Sequence, residues 1–179
     1  SADGDEVLIT DWHWGAYDSL IDYPNRKVAS FQFLTEDGHF HVDAFREKVE
    51  DILSRQKNIV IILNGVANNP TGYCMSVEEW QAAVDVLKHT VEGKDKNAVL
   101  IPDVAYLDYS GEKQECRRFF KVFGGLPKNI LTIVAYTLSK GFTLYGQRQG
   151  AMIGITSDAD VAKEFVDINQ YASRATWSN

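Results

Sequence analysis

Apolar residues follow two rhythms along this chain. Short runs rich in β-branched residues recur at 7–10, 28–33, 59–63, 99–101, 130–134 and 151–155, and each reads as a strand. Between them the spacing changes. Phe45, Val49, Ile52 and Leu53 fall on one face of a helix over residues 42–55. "SVEE" at 76–79 is a capping box that opens a helix over 77–91. Residues 116–123 read as a further helix, and 158–173 as the last, with Val161, Phe165 and Ile168 on one face. Short apolar strands alternating with helices imply an α/β domain with a largely parallel sheet covered on both faces. Such sheets carry their sites beyond the carboxyl ends of the strands, so chemistry is expected in the loops that follow strands.

Composition narrows the partners more than the fold. With 179 residues, 45% hydrophobic and 24% charged, the chain suits one domain with a real core, and it shows no repeat or linker. A net charge of -7 with scattered basic residues argues against a nucleic-acid partner, although a small anion needs only a local site. Cys74 and Cys116 lack metal-ligand or paired spacing, so no metal and no disulfide framework are expected, and a reducing, cytoplasmic setting fits. No run approaches the roughly 18 apolar residues of a membrane span, and "SADGDEVLIT" has no basic leader. The reading is a soluble domain.

Four of the loops after strands have unusual content. They are "DWHWGAY" from 11, "NGVANNPTGY" from 64, "PDVAYLDYS" from 102 and "AYTLSKG" from 135. Singly each has an ordinary use: tryptophan packs, NPTG turns, aspartate caps a turn, and a lone lysine is solvated. Together they supply an aromatic face, an amide, a carboxylate, a lysine, hydroxyls and, at Arg148, a guanidinium. That set suits a flat, anionic ligand with a basic ring nitrogen.

The order "NPTG", then "PDVAY", then "SK" with an arginine eight positions on, resembles the large domain of fold type I pyridoxal-phosphate enzymes. Within them it is similar to class I aminotransferases of the aspartate and aromatic type, and the likeness runs from Trp14 to Asn179. The resemblance implies a three-layer α/β/α domain whose mostly parallel sheet has one antiparallel strand, residues 151–155, left exposed at an edge. It implies pyridoxal 5'-phosphate as cofactor. Lys140 would hold it as a Schiff base and move the proton between substrate and cofactor. Arg148 would grip the phosphate with Thr137 and Ser139. Asp103 would keep the ring nitrogen protonated, Tyr106 and Asn69 would bond the phenolic oxygen, and Asn69 would also lie near the substrate carboxylate. Trp14, followed by Gly15, would stack on the ring. The chain departs from the family's usual residues at Ala16, Thr137, Thr143 and Gln149.

The resemblance also implies parts that this sequence does not contain. A glycine-rich phosphate loop and a C-terminal small domain are expected elsewhere in a longer protein, so residues 1–179 read as a large-domain fragment, inactive alone. Arg174, in "SRATWSN" and 34 positions beyond Lys140, fits an arginine that reaches into the partner subunit's site of a homodimer to pair with a dicarboxylic substrate. Its plainer use is to end a helix, where a cation is favourable. The expected reaction is transfer of an amino group between an L-amino acid, aspartate, glutamate or aromatic, and a 2-oxo acid. A lyase or decarboxylase using the same cofactor, or a non-catalytic sensor domain of a transcription regulator, are the alternatives.

Overall fold

The computed structural model describes residues 2–176. Six strands form one sheet in the order β2-β1-β3-β4-β5-β6, where β1 is Glu6–Thr10, β2 Lys27–Phe31, β3 Asn58–Leu63, β4 Asn97–Pro102, β5 Ile130–Thr137 and β6 Gly150–Ile155. The first five are mutually parallel, while β6 runs antiparallel to β5 and forms the edge, as the sequence implied. The chain steps outward from β1 to β2, then returns past β1 to build β3, β4 and β5 in the other direction. This reversal puts a crevice between the loops that follow β1 and β3, the place where open α/β sheets take ligands.

Alternation along the strands decides which helix covers which face. Ile59, Ile61 and Leu63 of β3 are fully buried beneath α2 (Val42–Arg55) and α3 (Val77–Val91), in a cluster that includes Phe45, Trp80 and Leu100. Val60 and Ile62 point the other way, where they pack with Val7, Ile9, Tyr17 and Ile21. The last two lie on α1 (Ala16–Asp22) and mark its inner face. α5 (Ala159–Thr176) lies against β6 at the other end of this second face, with Phe165 so close over Gly154 that a Cβ would meet its ring at 2.8 Å. Helices therefore lie on both faces, but unequally. Val60 and Ile62 remain half-buried while their alternating neighbours are sealed.

Three elements differ from the sequence reading. The expected helix over 116–123 is a 3-10 helix, Arg118–Phe123, preceded by turns. Its tighter winding accompanies burial of Phe119, Val122 and Phe123, with Phe119 stacked on Trp80 at 5.2 Å. Helix α1 was not expected, and neither was the single turn α4 (Leu138–Gly141) that carries Lys140. Boundaries shift modestly elsewhere: β2 stops at Phe31 rather than 33, and β5 continues to Thr137 because Gly150 and Ala151 of β6 pair with Thr137 and Tyr136.

Candidate active site

The loop after β3 is built around two buried asparagines, and this is why its neighbour Asn69 has a defined place. Asn68, 2% exposed, donates through Nδ2 to the carbonyl oxygens of Asn64 (2.9 Å) and Trp12 (3.4 Å), and its Oδ1 accepts from the N–H and hydroxyl of Thr71. Asn64 Oδ1 accepts from the Asn69 N–H at 2.7 Å, and Asn64 Nδ2 donates to the Asp103 carbonyl at 2.8 Å. The loops after β1, β3 and β4 are thus tied to one another by side-chain amides. Each such group left unpaired in the interior costs about 1–3 kcal/mol, so the three loops are held as a unit.

Asp103 extends β4 by one residue. Its N–H donates to Leu63 O, and it forms an isolated parallel bridge with Ala135 of β5. Its carboxylate is held at both oxygens: Oδ1 accepts from the Ala105 N–H at 2.9 Å, and Oδ2 accepts from the hydroxyl of Tyr17 on α1. Burial, then the nearby Asp103 carboxylate, pushes the Tyr17 phenol well above its ordinary range, so it stays a neutral donor.

Lys140 sits on the turn that follows β5. Thr137 caps that turn by accepting the Ser139 N–H at 3.1 Å, and the Tyr109 hydroxyl donates to the Lys140 carbonyl at 2.9 Å. Gly141 is required by close approach: a Cβ there would collide with the Asp108 carboxylate. That carboxylate is itself fixed by Arg117 (2.6 Å) and the Tyr136 hydroxyl (2.9 Å). Lys140 Nζ lies over the Tyr106 ring at 5.4 Å and the Tyr145 ring at 5.7 Å, in the electron-rich field that favours a cation. Arg148 follows the 3-10 turn Tyr145–Gln147 in left-handed backbone, φ 52°, with its guanidinium over the Tyr145 ring at 5.0 Å and Nη1 donating to Tyr145 O at 3.1 Å.

These loops enclose a cavity of about 430 Å³ at the carboxyl ends of β1, β3, β4 and β5. Trp14, Asn69, Asp103 and Tyr106 line it, and so do Thr137, Ser139, Lys140 and Arg148, so eight of the nine residues expected from sequence meet there. Of the two tryptophans, Trp14 lines the cavity, and Trp12, 58% exposed, does not. Arg174, the ninth, is exposed near the end of α5 and does not line it. Sequence reading missed Tyr17, Asn64, Tyr136 and Tyr145, which also line the wall. Tyr145 was the most accessible of these, since it lies in sequence between Lys140 and Arg148.

The volume suits a small ligand, and the lining carries both signs: the Lys140 amine and the Arg148 guanidinium, together with the Asp103 carboxylate held by two donors. A planar group with a basic nitrogen and an anionic tail finds complementary chemistry for each in this set. The set fits pyridoxal phosphate.

The family model "Aminotransferase class I and II" matches residues 1–177. The chain is 24% identical over 176 residues to an aromatic-amino-acid aminotransferase of Pseudomonas aeruginosa, covering 98% of this chain and 41% of that protein. It is 29% identical over 176 residues to a cytoplasmic aspartate aminotransferase of Caenorhabditis elegans, covering 97% and 40%. Among solved structures, an aminotransferase from Anaerococcus prevotii superposes with a TM-score of 0.96 at 37% identity, covering 99% of this chain and 43% of that one. An aromatic-amino-acid aminotransferase from Burkholderia pseudomallei, covalently bound to pyridoxal phosphate, shares the fold with a TM-score of 0.80 at 22% identity, covering 98% and 42%. The chain spans about two fifths of the length of such relatives. No helix among the described residues is long and apolar enough to cross a membrane. A family match over nearly the whole chain, together with a fold that superposes closely on a solved aminotransferase, means that this chain belongs to the class I and II aminotransferases.

Proposed function

We propose that this chain is the cofactor-binding portion of a pyridoxal-phosphate-dependent aminotransferase, which moves an amino group between an L-amino acid and a 2-oxo acid. The observation that carries the reading is the convergence of eight side chains from four separate loops on one cavity. When bound, pyridoxal phosphate supplies an electron-withdrawing ring that labilises a bond at the amino acid's Cα. The chain's own residues do the rest. Lys140 Nζ is the amine that holds the cofactor and the base that carries the Cα proton. Asp103 keeps a proton on the ring nitrogen, and Trp14 forms one wall against the ring. Tyr106 and Asn69 orient the phenolic oxygen, with Asn69 also near the substrate carboxylate. Arg148 binds phosphate oxygens as a fork, supported by the hydroxyls of Thr137 and Ser139.

The full-length protein supplies a glycine-rich phosphate loop and a small domain beyond residues 1–179, and works in the cytoplasm as a homodimer. Its substrates are aspartate, glutamate or aromatic amino acids with their 2-oxo acids. Half-reactions separate this from other uses of the cofactor. Cofactor-loaded full-length protein, given each of these amino acids with no oxo acid present, is expected to release about one equivalent of 2-oxo acid per site and stop with the cofactor aminated. Adding 2-oxoglutarate should then restore it. Continuous release of carbon dioxide or ammonia would instead identify a decarboxylase or lyase, and no conversion at all would identify a sensor.

A further inference from the structure

Tyr17 is absent from the sequence-derived site, yet it is the side chain most directly engaged with Asp103. It lies on α1, a helix of seven residues whose buried members are Tyr17 and Ile21. Its ring belongs to the apolar cluster with Val7, Ile9 and Ile21, so a phenylalanine would fill the same space. Trp14 meets the ring edge-on at 5.7 Å, and His13 stacks on it at 6.4 Å. What a phenylalanine would lack is the hydroxyl, which reaches across 86 positions of sequence to Oδ2 of Asp103.

We infer that Tyr17 is a positioning residue for the cofactor's ring nitrogen, acting through the hydrogen bond that its hydroxyl gives to the Asp103 carboxylate. This rests on the cofactor reading above. A carboxylate can turn about its own axis, and the Ala105 N–H on Oδ1 restrains it at one oxygen only. The Tyr17 bond restrains the other. Each oxygen has a second lone pair, so two donors from the protein still leave the carboxylate able to accept from a third. A carboxylate fixed in advance meets the ring nitrogen without first being ordered, and that ordering is otherwise subtracted from binding. The phenol is suited to the task because burial and the adjacent carboxylate keep its proton in place.

The test compares two ligands that cannot condense with a lysine: pyridoxamine phosphate, and its 1-deaza analogue with C–H in place of the ring nitrogen. Equilibrium affinities are measured on full-length wild type and Tyr17→Phe. The variant is expected to lose about tenfold or more in affinity for pyridoxamine phosphate, the scale of a hydrogen bond to a charged group, and less than about twofold for the deaza analogue. In an Asp103→Ala background, Tyr17→Phe should change neither affinity by more than about twofold, because the residue it acts through is gone. Equal losses for both ligands, or the same loss without Asp103, would make Tyr17 a packing residue and overturn the inference. Unchanged affinity for pyridoxamine phosphate would overturn it as well. Wild type binding neither ligand would defeat the cofactor reading itself, and this inference with it.

Discussion

Replacing Lys140 with alanine in the full-length, cofactor-loaded protein is expected to lower kcat for amino transfer by about 10⁴-fold or more, at the upper end of what a positioned proton carrier contributes. Cofactor should remain bound, because the groups proposed to hold its other parts are elsewhere: Arg148 beyond the lysine turn, Asp103 after β4 and Asn69 after β3. The effect should also be local. The turn that carries Lys140 is held by the Thr137 cap, by the Tyr109 hydroxyl on the lysine's carbonyl and by the Gly141 contact with Asp108, and none of these uses the lysine side chain. Steady-state kinetics, with retention of cofactor through dialysis, checks both halves. Activity within about tenfold of wild type, at any pH, would mean that another group carries the proton.

Arg174→Ala is expected to cost about 10²–10³-fold in kcat/KM for aspartate and glutamate, and less than about threefold for aromatic or aliphatic amino acids. A guanidinium fork on a carboxylate forms two charge-assisted hydrogen bonds, and each is worth about 1.5–3 kcal/mol. A substrate without that carboxylate loses nothing when the fork is removed. The structure is compatible with action in a neighbouring site, since Arg174 is exposed on α5 and away from the cavity of its own chain. Steady-state kinetics on a panel of amino donors reads the selectivity directly. Equal losses across the panel would reduce Arg174 to its plainer use at a helix end, in the last turn of α5.

What sequence could reveal here follows from the range over which each feature is determined. All six strands were legible because β-branched runs are a local signal, and so were the three long helices, α2 and α5 by apolar faces that repeat along them and α3 by the capping box that opens it. Helix α1 was not, since seven residues with buried positions only at Tyr17 and Ile21, and no capping side chain, carry almost no periodicity. The 116–123 segment misled because its aromatic spacing suits either winding, and packing on Trp80 accompanies the tighter one. The site divides in the same way. Lys140, Asp103, Asn69 and Arg148 sit in short motifs that can be read in place. Tyr17 and Asn64 work through contacts with Asp103 that span 86 and 39 positions, and nothing in their immediate neighbours announces a partner so far along the chain.

Reduction followed by peptide mapping tests most directly whether Lys140 holds pyridoxal phosphate in this cavity. Full-length protein loaded with pyridoxal phosphate is treated with borohydride, digested and analysed by mass spectrometry. Close to one phosphopyridoxyl group per chain is expected, on the peptide containing Lys140, with no label in Lys140→Ala. Label on a different lysine, or an unlabelled protein that still transfers amino groups, would contradict it.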